Sequence, residues 1–141
     1  MSTTAAIARA ETRPTALRVL VVDDNPDVLA TISELVAVLG HDVTTASSGG
    51  EALAAAARSE PELVLLDIGL PDISGYEVAR RLRQISGAPM RIVAVTGWGQ
   101  ESDRMRSAAA GFDLHLVKPI GVEALTDLLA ARPRAAPTRD G

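Results

Sequence analysis

The chain has 141 residues, 47% of them apolar, with a formal net charge of -4 and no cysteine. Its length suits one domain with a full core, since domains cluster near roughly 100–150 residues. The acid excess leaves no broad basic footprint for nucleic acid, the missing thiols exclude disulfides and thiolate metal sites and fit a cytoplasmic setting, and no apolar run nears the roughly 18–20 residues that span a bilayer.

The opening MSTTAAIARAETRPTA, residues 1–16, has no apolar core of a secretory signal, and Glu11 argues against a transit peptide, so it is expected to be a disordered arm. The domain is expected over 17–131. LRVLVV reads as the first strand and runs into the paired acids Asp23 and Asp24. Asn25 and Pro26 then supply an N-cap and a favoured first helical residue, Ile32, Leu35, Val36 and Leu39 recur at the helical spacing, and Gly40 stops the helix. His41 is expected to be a solvent-exposed residue before the second strand, DVTTA.

Ser48 and Glu51 carry a Ser-x-x-Glu capping box that opens the next helix. ELVLL, the third strand, ends on Asp67. A second box at Ser74 and Glu77 leads into Val78, Leu82 and Ile85, expected on one buried face. RIVAV, the fourth strand, ends on Thr96; a helix is expected over 101–110. LHLV, the fifth, is followed by Lys118, and a last helix over 121–131 is expected to bury Val122, Leu125 and Leu129. The tail, 132–141, holds two prolines without apolar periodicity and is expected to be flexible. Five strands, near-continuously apolar and separated by helices, predict an α/β fold with a parallel sheet covered on both faces.

Asp23 and Asp24, Asp67, Thr96 and Lys118 all stand at carboxyl ends of predicted strands. In an open parallel α/β sheet those ends converge on one crevice where ligands bind. An acid after a strand is on its own an ordinary turn or cap residue; five such groups together point to a site. Three carboxylates at close quarters repel one another unless a cation sits among them, and an all-oxygen set favours a hard ion that keeps its waters, Mg²⁺. Beside such an ion Asp67 is suited to attack a phosphoryl group, with Lys118 as a point charge and Thr96 as a hydroxyl donor to its oxygens.

VLVVDDNPDV, LVLLDIGLPDISGYEVARRLR, AVTGWG and HLVKPI together resemble the receiver domain of two-component response regulators, over about Arg18 to Ala131. That resemblance implies a flavodoxin-like fold with strand order 2-1-3-4-5, an order general to receivers of the chemotaxis type. It makes Asp67 the phosphoacceptor, Asp24 and Asp67 direct Mg²⁺ ligands, Asp23 a ligand chiefly through a bound water, and the Gly69 carbonyl a further ligand. It also implies a cis Lys118-Pro119 bond, a switch role for His115 where receivers usually carry Tyr or Phe, a small residue at Gly97, and a site-flanking Trp98. The implied partners are a histidine kinase or histidine phosphotransfer protein, which phosphorylates Asp67, and a downstream protein that reads the face made by the fourth helix, fifth strand and fifth helix. Direct nucleic-acid or membrane binding is not expected, nor substrate turnover, and the domain is expected to be a monomer or weak dimer. The segments DIGLPDISGYEVARRLR and VTGWGQ look most like receivers of hybrid sensor kinases, so both a free-standing regulator and an excised receiver fit.

Two other readings compete. A Mg²⁺-dependent aspartyl-phosphate phosphatase or phosphotransferase would need a second acid two residues beyond its nucleophile, where this chain has Gly69. A degenerate receiver that serves only as an interaction module would lack an acid, the Thr or the Lys, and all are present.

Overall fold

The computed structural model describes residues 16–85, 89–97 and 111–130. Five parallel strands, β1 (Arg18–Val22), β2 (Asp42–Ala46), β3 (Leu63–Asp67), β4 (Arg91–Thr96) and β5 (Leu114–Val117), form one sheet in the order β2-β1-β3-β4-β5. Four helices are described: α1 (Pro26–Val38), α2 (Gly49–Ser59), α3 (Gly75–Ile85) and α4 (Val122–Ala130). The fold and strand order are those implied by the resemblance. The helix expected over 101–110, the two termini and Trp98 lie outside the described residues.

Alternation along the strands divides the core in two. Leu20, Val22, Val64, Leu66, Ile92 and Ala94 face one side and pack with Ala52, Ala55 and Ala56 of α2 and Val78, Ala79 and Leu82 of α3. Val19, Val21, Leu63, Leu65, Val93 and Val95 face the other and pack with Ile32 and Val36 of α1 and Leu125, Leu128 and Leu129 of α4. Both faces of β1, β3 and β4 are therefore covered, which explains why these strands lack a polar alternate position.

The helix starts follow local chemistry. The Asn25 side chain accepts from the Asp27 and Val28 amides at 2.9 and 3.3 Å. Gly40, with φ of 96°, takes the left-handed conformation just beyond the end of α1. Each predicted capping box forms only in its first half. Ser48 and Ser74 accept from the Glu51 and Glu77 amides, both at 3.2 Å. The Glu51 carboxylate reaches back to the Ser47 amide instead of Ser48, at 2.7 Å, and Glu77 pairs with Arg80 and Arg81.

Three expectations about burial need correction. Ile85 and Val122 are exposed, at 55% and 59%, and Leu128 joins Leu125 and Leu129 in the stripe of α4. Ile85 and Val122 each stand at a helix end, where periodicity keeps a residue on the apolar face but the helix has run past the sheet. His41 is half-buried, and its Nδ1 accepts the Leu17 amide at 2.9 Å, which ties the turn after α1 to the residue before β1.

Candidate functional site

At the carboxyl edge of the sheet, β1, β3 and β4 lie side by side, so residues far apart in sequence are brought together. Asp23 directly follows β1, Asp67 ends β3 and Thr96 ends β4; all three are buried, at 2%, 8% and 4% exposure. Asp24 is exposed. Among the described residues, Asp23, Asp24 and Asp67 can each offer a carboxylate oxygen within 4.8 Å of the others. From the strand next to β4, Lys118 extends its Nζ to 2.9 Å from Asp23 Oδ2 and 3.5 Å from Asp67 Oδ2.

Backbone hydrogen bonds hold these groups. The Asp23 amide donates to Ala46 O at 3.1 Å, the Ile68 amide to Val95 O at 3.2 Å, and the Lys118 amide to Thr96 O at 2.7 Å. Asp23 Oδ1 accepts the Asn25 amide at 2.9 Å, and Asp67 Oδ1 accepts the Gly69 amide at 2.9 Å. Asn25 thus turns Asp23 inward through its N–H while its side chain caps α1. Only its capping role was legible in the sequence, because the bond to Asp23 depends on how the chain turns between the strand and the helix.

Burial pushes the Asp67 carboxyl above its ordinary range; the Gly69 amide and Lys118 oppose that shift, and Asp23 and Asp24 reinforce it. Lys118 loses some hydration, which alone would lower its pKa, but the hydrogen bond and charge of Asp23 and Asp67 outweigh the loss and raise it. One ammonium thus faces a pocket of three acids. An all-carboxylate oxygen set with a negative surplus fits a hard divalent cation such as Mg²⁺, which Asp23, Asp24 and Asp67 could hold.

The remaining predicted residues surround this centre. Gly97 is exposed, and among the described residues a Cβ added there meets nothing within 4 Å. Gly69 is exposed two residues beyond Asp67. The Lys118-Pro119 bond is cis. His115 is half-buried and pairs in register with Ala94, as Val117 does with Thr96, so His115 and Thr96 share one face of the sheet.

A family model for the response regulator receiver domain matches residues 19–130. The transcriptional regulatory protein KdpE of Mycobacterium tuberculosis is 40% identical over 122 residues, which cover 86% of this chain and 51% of that protein. The virulence sensor protein BvgS of Bordetella pertussis is 39% identical over 143 aligned positions, which cover 95% of this chain and 12% of that protein. The chain thus spans about half of one relative and a small part of the other. A solved response regulator from Burkholderia pseudomallei, with a phosphorylated aspartic acid and a calcium ion, superposes with a TM-score of 0.74 at 28% identity, covering 79% of this chain and 65% of that one. The fold, the acidic pocket with its lysine and the match over nearly the whole sheet agree: the chain belongs to the response regulator receiver domains of two-component signalling.

Proposed function

We propose that Asp67 takes a phosphoryl group from the phosphohistidine of a histidine kinase or histidine phosphotransfer protein, in a reaction that depends on Mg²⁺. The observation that carries this reading is the meeting of three carboxylates within 4.8 Å with the Lys118 ammonium upon two of them. An Asp67 oxygen attacks phosphorus, a P–O bond forms, the P–N bond to the donor imidazole breaks, and the imidazole leaves with the bond's electron pair. The ion supplies charge neutralisation for the transferring group. Lys118 offers its ammonium to a phosphoryl oxygen, and the Thr96 hydroxyl donates to another. Gly97 places no side chain beside Thr96 in the path of the donor.

The phosphorylated aspartate in the Burkholderia pseudomallei relative supports the same chemistry here. Thr96 and His115 on one sheet face support a switch in which phosphorylation draws the Thr96 hydroxyl inward and His115 follows. A downstream protein reads the outcome on the face that includes β5. Relatives that are a transcriptional regulator and a sensor protein support a module that works as one part of a larger signalling assembly in the cytoplasm.

Acetyl phosphate with Mg²⁺ should add one acid-stable, base-labile phosphoryl group to the parent and none to Asp67→Asn. Equal labelling of that variant overturns the assignment. Thr96→Ala should still be labelled while losing most of the phosphorylation-dependent conformational response. Sustained turnover of small phosphate esters would favour a hydrolase instead.

A further inference from the structure

The loop between β3 and α3 carries Gly69 past the acidic pocket. Its base is tightly closed. The Gly75 amide donates to Ile68 O at 3.2 Å, and a Cβ on Gly75 would lie 2.4 Å from Ile68 Cα and 2.9 Å from Asp67 O, so the two ends of the loop touch with no room for a side chain. Its far end is held by a different group. Asp72 Oδ1 accepts the Gly49 amide at 2.8 Å and Oδ2 accepts the Gly50 amide at 2.9 Å, across more than twenty residues of sequence.

Those amides are the first two of α2, and a helix start leaves its leading N–H groups without intrahelical acceptors. Ser48 Oγ takes the Glu51 amide, so Asp72 supplies the acceptors for the two that remain in that turn. Two charge-assisted bonds to one carboxylate at the positive end of a helix form a strong, directional clamp. The Gly50 and Gly49 amides hold the Asp72 carboxyl down to about 2. Close packing accompanies the bonds: a Cβ on Gly49 would meet Ile73 Cβ and Val78 Cγ2 at 3.0 Å.

We propose that Asp72 is a positioning residue for phosphorylation, clamping the loop after β3 to the start of α2 so that the Gly69 backbone is held in place beside Asp67. This rests on the phosphoacceptor reading above. Gly69 is linked to the pocket by its own amide, 2.9 Å from Asp67 Oδ1, so freeing the loop loosens Asp67 as a metal ligand until a bound ion fixes it again. The cost should fall on assembly of the metal seat, since among the described residues Asp72 bonds to the start of α2 and makes no hydrogen bond or ion pair with Asp67 or Lys118.

Calorimetric titration of chelator-stripped protein with Mg²⁺ tests the clamp, alongside labelling by acetyl phosphate at limiting and saturating Mg²⁺. Asp72→Ala should raise the Kd for Mg²⁺ about three- to tenfold, at or below the usual effect of losing a group that orients a metal ligand. Its labelling rate at saturating Mg²⁺ should stay within about twofold of the parent. Asp72→Asn keeps one acceptor and should fall between the two. Amide exchange at Gly49 and Gly50 should quicken in both variants. An unchanged Kd in Asp72→Ala, or a labelling rate that saturating Mg²⁺ does not restore, overturns the clamp. If Asp72→Ala does not fold, Asp72→Asn decides by the same two readings. A parent that binds Mg²⁺ and is labelled while the variants bind equally well removes only the clamp; a parent that does neither removes the phosphoacceptor reading as well.

Discussion

Lys118 Nζ stands 2.9 Å from Asp23 Oδ2 and 3.5 Å from Asp67 Oδ2, so the lysine is bound more closely to the acid after β1 than to the proposed phosphoacceptor. Asp23 is nearly inaccessible, and Lys118 is the cation that offsets its charge. The same ammonium that serves a phosphoryl oxygen in the proposed reaction therefore also supports the fold.

Lys118→Ala should lower stability in EDTA by about 1–2 kcal/mol, because removing one partner of a largely buried pair leaves the other charge uncompensated. That is a fall of several degrees in melting temperature for a domain of this size. Mg²⁺ should restore more stability to the variant than it adds to the parent, since binding to the folded state alone stabilises it and the variant's pocket is more negative. Melting curves with and without Mg²⁺ check both points; equal Mg²⁺ shifts in the two proteins would contradict them.

Asp67→Asn should stabilise the protein in EDTA. Asp67 has its carboxyl raised by burial, with Asp23 and Asp24 adding to the shift. A raised acid binds its proton more tightly in the folded state than in the unfolded chain, so its contribution makes stability increase as pH falls from neutral through the raised value. The amide carries no charge at any of these pH values, removes that contribution, and leaves Lys118 paired with Asp23. A gain in stability at neutral pH is expected, with a flatter pH profile in urea titrations.

Gly75→Ala should be strongly destabilising, by about 2–4 kcal/mol, because the added methyl group would meet the Ile68 backbone at 2.4 Å and backbone cannot rotate aside. Gly97→Ala, with nothing within 4 Å of the new Cβ among the described residues, should leave stability unchanged. Urea midpoints of the two variants, measured together, separate a glycine required by close approach from one that is not.

Asp72 has the opposite pH behaviour to Asp67. Its carboxyl is held down to about 2 by the Gly50 and Gly49 amides, against an ordinary value near 3.8. A depressed acid contributes stability that is fully present above the unfolded value and is lost as pH falls through the folded one. Parent stability should therefore carry an Asp72 component that disappears between about pH 4 and pH 2, and Asp72→Asn should lose less than the parent over that interval. Equal losses would show that the two amide bonds contribute nothing to folding.

The sequence by itself determined the described strands and helices and which polar residues stand at the strand ends. Apolar runs with no polar alternate position imply strands covered on both faces, and the acids, Thr96 and Lys118 stand at strand ends whatever the order of the strands. Local hydrogen bonding made the Asn25 cap and the stop at Gly40 legible, because each needs only neighbours within one turn. Tertiary structure alone decided what depends on distant partners. Periodicity places Ile85 and Val122 on apolar faces, yet burial depends on where each helix overruns the sheet. His41 has a partner only because the end of α1 returns to the start of β1. Asp72 follows Pro71 in the sequence, but its two acceptor bonds exist only once the loop before α3 is packed against the start of α2. Lys118 reads as a group reserved for phosphate, and only the adjacency of β1, β3 and β4 at one edge brings Asp23 close enough to share it.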